Sequence, residues 1–243
     1  MINTRILLIL WVFLGLIACQ KESQGPKPIP MKNIIGSVSL YDEGTIPVSN
    51  SGLMVSILDS DPIIKAITND QGAFELEEVT SGTYTIIYRK PGFGTYKVYD
   101  VVHDQTKTTS LSETPSLGQK TSTSVGLLIA NVNNDSLILT VSIDPVATPD
   151  NPRYYRVFFG DNQNLSPENY VYYTAPLLTT NNPFELTFSS AELLSFGFQK
   201  GQDVFVNVAG ESYFSNEYYD PFLQRQIFPN LFWTSGVEHF ILP

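Results

Sequence analysis

The chain has 243 residues, with 14 lysines and arginines against 24 aspartates and glutamates, and a formal net charge of −10. The acidic residues are spread along the sequence without a basic cluster that could neutralise phosphates, so the composition excludes a nucleic-acid-binding protein. The single cysteine excludes an intrachain disulfide.

The first segment of the chain has the layout of a secretory signal. Arg5 supplies a positive charge, and the uncharged apolar run Ile6–Ile17 leads to Ala18 and Cys19. A run of about a dozen residues is too short to cross a hydrocarbon core, which needs about 20. A basic start, an apolar middle and a small residue at the cleavage site are typical of a signal peptide. The sequence therefore predicts a signal peptide over residues 1–18, cleaved between Ala18 and Cys19.

The quartet Leu16-Ile17-Ala18-Cys19 resembles the lipobox of bacterial lipoproteins. The resemblance implies that Cys19 is lipidated, with palmitate among its acyl chains, and that the protein is an outer-membrane lipoprotein of the cell envelope. Each buried methylene contributes about 0.8 kcal/mol, so two or three acyl chains hold a soluble domain firmly on a membrane. The next residues, Gln20-Lys21-Glu22, resemble a short export signal of surface lipoproteins, which leaves surface exposure and a plain polar tether both open.

Residues 19–32 form the expected tether. Pro26, Pro28 and Pro30 alternate with other residues, and this spacing favours an extended polyproline-like backbone. Fully extended, residues 20–32 span about 40 Å. We therefore expect the folded part of the chain to stand clear of the membrane.

Short segments of alternating apolar and polar residues begin at residue 33. The turn Asn69-Asp70-Gln71-Gly72 separates two of them and suits a tight hairpin. Six strands in about 80 residues are typical of a β-sandwich. The expected strands are Ile34–Leu40, Leu53–Leu58, Ile63–Thr68, Ala73–Glu78, Thr83–Arg89 and Tyr96–Val102.

Four short motifs follow one another over residues 33–113, and together they resemble the carboxypeptidase regulatory-like domain. The resemblance implies a transthyretin-like β-sandwich that performs no chemistry of its own. Within it, Gly72 and Gly82 are expected in turns that need a positive φ. The motifs are Ile35-Gly36-Ser37-Val38, Thr68–Phe74, Val79–Tyr84 and Lys90–Phe93.

Catalytic residues cannot be picked out. A zinc carboxypeptidase needs a His-x-x-Glu pair and a distant second histidine, which neither His103 nor His239 provides. Without a second cysteine or a Gly-x-Ser-x-Gly segment, the sequence contains no evident nucleophile–base pair. We therefore expect a protein without enzymatic activity, metal or cofactor, although a pair of carboxylates such as glycosidases use remains open.

Residues 114–123 are polar and rich in turn-forming residues, and we interpret them as a linker to a second domain over residues 124–243. This part carries further short strands and one helix whose start, Ser189-Ser190-Ala191-Glu192, resembles a capping box and whose end is expected at Gly197. The pattern predicts a second sandwich of fibronectin type III or immunoglobulin-like kind. The expected strands are Val125–Val132, Ser136–Ile143, Arg153–Phe159, Tyr170–Thr174, Phe184–Phe188, Val204–Val208 and Val237–Leu242.

Aromatic residues are densest between residues 213 and 233. Tyr213, Tyr218, Tyr219 and Trp233 offer flat faces for a sugar ring or a protein surface, and we take them as candidate ligand-binding residues. The alternative is a long loop that packs its own aromatic side chains across the end of the sandwich, and this alternative is favoured. The run Asp161-Asn162-Gln163-Asn164 is interpreted as a turn rather than a calcium loop.

The sequence thus predicts an all-β protein of two sandwiches, anchored by Cys19 and acting as a non-catalytic interaction or accessory module. Its expected partners are the membrane, through the anchor, and an unknown envelope protein or glycan. A carbohydrate-binding surface lipoprotein is the second hypothesis, and a glycosidase-like enzyme with an unidentified carboxylate pair is the third.

Overall fold

The computed structural model describes residues 31–234 and 236–243. The predicted signal peptide, Cys19 and the tether up to residue 30 lie outside the described residues. Two groups of strands follow one another, which we call the N-terminal half (residues 31–118) and the C-terminal half (residues 124–243). Residues 119–123 connect them.

The N-terminal half contains nine strands among the described residues. They are β1 (Lys32–Ser37), β2 (Ser39–Tyr41), β3 (Met54–Ile57), β4 (Lys65–Ile67), β5 (Ala73–Val79), β6 (Gly82–Arg89), β7 (Tyr96–His103), β8 (Thr109–Ser110) and β9 (Ser116–Gly118).

Two sheets of this half pack around one apolar core. One sheet has the order β5-β1-β8 and the other the order β4-β3-β6-β7, while β2 and β9 form a parallel pair. Alternation along β5 positions the core side chains, because Phe74 and Leu76 are buried while Glu75 and Glu77 face solvent. Ile34, Leu53 and Ile86 belong to the same buried cluster, which joins the two sheets.

The C-terminal half is built in the same way. Its elements are β10 (Ser124–Asn133), β11 (Ser136–Asp144), β12 (Arg153–Gly160), β13 (Tyr172–Tyr173), β14 (Leu177–Thr179), β15 (Phe184–Ser189), α1 (Ser190–Ser195), β16 (Asp203–Glu211), β17 (Tyr218–Asp220), β18 (Arg225–Ile227) and β19 (Glu238–Ile241). The sheet β10-β11-β15 faces the sheet β13-β12-β16-β19, in which β14 also pairs with β12. Leu139, Val157 and Val206 are fully buried between them. The strands β17 and β18 form a separate antiparallel hairpin.

The all-β, sandwich-like fold predicted from the sequence is confirmed. Every strand expected above overlaps an observed one. The helix also begins as predicted: Ser189 is its N-cap, and Ser189 and Glu192 form the reciprocal hydrogen bonds of a capping box. The helix ends before Gly197, whose φ of 107° is a left-handed conformation that glycine adopts easily.

Two details differ from the expectations. Gly72 has the predicted positive φ of 78°, but Gly82 opens β6 without one, because the chain turns before it. The segment predicted as a linker contains β9, which pairs with β2 in parallel and buries Leu117 in the core. A three-residue strand with one apolar side chain has no alternation to reveal it.

Candidate functional site

The hairpin of β17 and β18 carries the most exposed aromatic ring of the described chain. We call residues 218–227 the aromatic hairpin. Its turn is fixed by Asp220, whose Oδ1 accepts the backbone N–H groups of Phe222 at 3.0 Å and Leu223 at 3.1 Å. The carboxylate of Asp220 therefore holds the tip in one conformation.

The aromatic hairpin lies on β7 of the other half. The Tyr99 hydroxyl donates to Asp220 Oδ2 at 2.6 Å, and Lys97 Nζ lies 3.8 Å from the same oxygen. The Tyr99 hydrogen bond, the backbone donors of the turn and the charge of Lys97 hold the pKa of Asp220 below its usual range. Burial and the neighbouring carboxylate raise the pKa of Tyr99, so its hydroxyl stays a donor at any physiological pH. The hairpin is thus fastened by a polar contact as well as by aromatic packing.

Aromatic packing continues from the aromatic hairpin into the N-terminal half. The ring of Tyr218 contacts those of Tyr96 and Tyr99 at centroid distances of 6.0 and 6.2 Å, and Phe222 lies 6.0 Å from Tyr99. These separations are typical of favourable edge-to-face and tilted pairs. The hairpin is therefore a supported surface feature rather than a free loop.

Three apolar or aromatic side chains remain exposed on this support. Phe222 is 82% exposed, Leu223 56% and Tyr219 52%. Single exposed apolar residues are common, but these three are neighbours on one supported hairpin, so we treat them as a candidate contact surface. The geometry suits docking into an apolar recess, or stacking of a flat ring.

A pocket adjoins the support of the hairpin. It has a volume of about 360 Å³ and opens between β7 and the segment that follows β8. Tyr96, which touches Tyr218, forms part of its wall, and burial raises the pKa of both Tyr96 and the neighbouring Tyr88. The other lining residues are mainly apolar or small: Val98, Val101, Val102, Thr109, Ser110, Leu111, Ser112, Glu113 and Pro115.

The four candidate aromatic residues do not form one site. Tyr218 and Tyr219 lie on the aromatic hairpin, but Tyr213 packs against Tyr154 at 5.5 Å. Trp233 packs on the buried ring of Phe158 at 5.2 Å and belongs to a third apolar cluster. The favoured alternative, a segment that packs its own aromatic residues, describes Tyr218 and Trp233 well but leaves Tyr219 exposed.

The two histidines occupy different environments. His103 is buried at the end of β7, where Nδ1 lies 2.8 Å from the Thr109 hydroxyl and Nε2 lies 3.1 Å from the Val79 carbonyl. His239 is exposed on β19 and stacks on Phe205. Within residues 31–234 and 236–243, no group of three or more His, Cys, Asp and Glu residues could hold a metal ion. In the same part of the chain, no helix is long and apolar enough to span a membrane.

A buried charged cluster behind the aromatic residues was not predicted. Arg156 on β12 is fully buried; its Nε lies 3.3 Å from Glu211 Oε2, and its Nη2 bonds Glu217. The guanidinium sits between the rings of Tyr173 and Phe228, at 5.1 and 4.9 Å from their centroids.

Two carboxylates share this one guanidinium. Burial, reinforced by the charge of Glu217, raises the pKa of Glu211 to about 7, although Arg156 and the N–H of Ser212 oppose the rise. An arginine inside the apolar run Tyr-Tyr-Arg-Val-Phe-Phe was the sequence signal that could have indicated this cluster.

Two buried asparagines join the halves next to the hairpin. Asn216 Oδ1 accepts the N–H of Gly118 at 2.8 Å, and Asn230 Oδ1 accepts the N–H of Gly94 at 2.9 Å. The approach is close, because a Cβ at Gly118 would lie 2.5 Å from the Phe214 carbonyl oxygen. We call Asn216 and Asn230 the asparagine pair.

Known proteins give little further guidance. No protein-family model matches the chain, and no curated protein does. The solved structure of a protein from Bacteroides uniformis that has been suggested to bind carbohydrate is 12% identical in sequence, with a TM-score of 0.34. The match covers 88% of this chain and 100% of the other. A DUF3823 family protein from Parabacteroides merdae is 10% identical over 84% of this chain and 98% of its own, with a TM-score of 0.30. A second DUF3823 family protein, from Bacteroides uniformis, is 11% identical over 88% of this chain and 100% of its own, with a TM-score of 0.28. Similarity this low carries no argument about ligand or activity.

Proposed function

We propose that this chain is a lipid-anchored, non-catalytic protein of the cell envelope that contacts a partner protein through the aromatic hairpin. The anchor is Cys19, and the outer membrane is its proposed location. The observation that supports the interaction is the fastening of the hairpin by Asp220 and Tyr99, which leaves Phe222, Leu223 and Tyr219 exposed.

The energetics of the hairpin tip favour contact with an apolar recess. Burying a fully exposed Phe or Leu side chain stabilises a complex by about 1.5–3 kcal/mol. Because Asp220 already orders the turn, little conformational entropy is lost when the tip is buried. A rigid aromatic anchor of this kind is typical of the residues that dominate protein interfaces.

Photo-crosslinking in the native cells tests this proposal. The photoreactive amino acid p-benzoylphenylalanine would replace Phe222 and, as a matched control, Ile63, which is 72% exposed outside the hairpin. We expect a discrete protein adduct from position 222 that is absent from position 63 and lost when Leu223 and Tyr219 are both changed to serine. No adduct at 222, or the same adduct from both positions, would contradict the proposal.

Carbohydrate binding is the second candidate function. The observation that favours it is a polar cleft between the halves, beside the aromatic pair Tyr154 and Tyr213. Sugar-binding sites combine flat aromatic faces with planar polar side chains, and both occur next to this cleft.

A further inference from the structure

The cleft lies where the loop after β2 meets the start of β12. It has a volume of about 370 Å³, within the range of about 300–1,000 Å³ usual for small-molecule sites. Its polar lining comes from both halves and from the segment between them: Asp42, Glu43, Gln119, Asp150, Asn151 and Arg153.

An ion pair holds the two walls of the cleft together. Arg153 Nη1 lies 3.2 Å from Glu43 Oε2, and the same oxygen accepts the N–H of Ser122 at 2.8 Å. The N–H of Tyr213 donates to the Glu43 carbonyl at 2.9 Å. The walls are therefore positioned by contacts that do not require a ligand.

One aromatic ring lines the cleft, and a second packs against that ring. Tyr154 lines it and is 6% exposed, and Gly44 lies against its ring, since a Cβ there would sit 3.4 Å from the ring carbon Cε2. Tyr213 contacts Tyr154 edge-to-face and is 49% exposed. Burial, with the charge of Asp42, raises the pKa of Tyr154, so its hydroxyl remains a hydrogen-bond donor.

The polar groups that line the cleft indicate which class of ligand it can bind. A hard cation such as Ca²⁺ prefers oxygen acceptors alone, but the lining includes the guanidinium of Arg153 and the amide groups of Gln119 and Asn151. An anion is disfavoured, because three carboxylates face one guanidinium. Hydroxyl groups, which both donate and accept, match such a lining.

We infer that this cleft binds a neutral sugar, as one or two units of an oligosaccharide. The inference rests on the second candidate function and names its site. The carboxylates accept hydrogen bonds from sugar hydroxyls, while Arg153 and the amides donate to them. Binding across the cleft also ties the two halves to each other.

Ligand-detected NMR and calorimetry on the detergent-solubilised full chain test the inference. The probes are maltotriose, cellotriose, xylotriose, mannotriose and N-acetylchitotriose. The test variant is Asp150→Ala with Asn151→Ala, and the matched control is Asp70→Ala with Gln71→Ala. Each variant removes one carboxylate and one amide from an exposed turn, so neither disturbs the core.

We expect at least one probe to bind, and its affinity to fall about tenfold or more in the cleft variant but not in the control, as expected for the loss of one or two hydrogen bonds. A third variant, Phe222→Ser with Leu223→Ser, separates the site from the function. If only this hairpin variant loses binding, the cleft is the wrong site although carbohydrate binding stands. If none of the five sugars binds, both the inference and the second candidate function are overturned, while the crosslinking result still decides the role of the hairpin.

Discussion

Replacing Glu211 by glutamine should stabilise the protein above neutral pH. Glu211 and Arg156 are both fully buried, and Glu217 already bonds the same guanidinium. Two carboxylates and one cation leave an excess negative charge, and the carboxylate of Glu211 carries its share of it out of contact with water, whereas Glu217 is partly exposed. Neutralising Glu211 removes this buried excess charge. Glutamine keeps the shape of the side chain and can still accept the N–H of Ser212, which lies 3.0 Å from Glu211 Oε1.

The size of the effect follows from the pKa of Glu211, raised from 4.5 to about 7. Between these values the folded protein holds a proton that the unfolded chain has released, so the free energy of unfolding falls as the pH rises. At 1.36 kcal/mol for each pH unit, this group costs about 3 kcal/mol above pH 7 and nothing below pH 4.5. Glu211→Gln should therefore match the natural protein near pH 4.5 and exceed its stability by up to about 3 kcal/mol near pH 8.

Urea unfolding followed by tryptophan fluorescence between pH 4.5 and 8 measures this difference. Glu185→Gln is the matched control, since Glu185 is exposed on β15, and it should show no pH-dependent difference. Glu217→Gln should reduce the dependence of stability on pH, because it removes the second negative charge beside Arg156, which helps to raise the pKa of Glu211. If Glu211→Gln is less stable than the natural protein at pH 8, attraction to Arg156 outweighs burial and the reasoning fails.

Two other predictions concern the junction and the anchor. Asn230→Ala should lower the free energy of unfolding by about 2–4 kcal/mol, because the side chain donates to the carbonyls of Gly118 and Phe214 and accepts the N–H of Gly94 in a buried site. Asn164→Ala, at an exposed position, is the control in the same urea experiment. Equal stability of both variants would refute the role of the asparagine pair. Cys19→Ser should move the protein from the membrane fraction to the soluble fraction of cells, because an unlipidated chain loses its acyl anchor; persistence in the membrane fraction would contradict lipidation at Cys19.

The sequence predicted those strands that bury one regular face. Alternation along Ala73–Val79 and Ser136–Asp144 gives a clear period of two, and both strands lie as expected. The short strands β8, β9 and β14 carry two or three residues each, so their pairing is decided by neighbours distant in the sequence. The local sequence pattern does not show which distant segment such a short strand pairs with.

The candidate site was predicted only in part, for a related reason. Aromatic density between residues 213 and 233 drew attention to the segment that contains the hairpin, but composition does not say which rings a fold buries. Trp233 packs on Phe158, whereas Phe222 stays exposed on the turn whose conformation Asp220 fixes. The exposure of Phe222 depends on the hydrogen bonds that the carboxylate of Asp220 accepts in the turn. Hydrophobic periodicity in the sequence does not reveal such hydrogen bonds.

The position of the aromatic hairpin depends on both halves at once. Its strands belong to the C-terminal half, yet its polar fastening comes from Tyr99 on β7. The asparagine pair holds the backbone at Gly94 and Gly118 against the segment that leads into and out of the hairpin. Because these contacts are buried and mutually hydrogen-bonded, losing one leaves its partners unsatisfied. A substitution in the junction between the halves should therefore also alter the position of the hairpin tip. A partner protein that binds the tip would then recognise the two halves as assembled, rather than the hairpin alone.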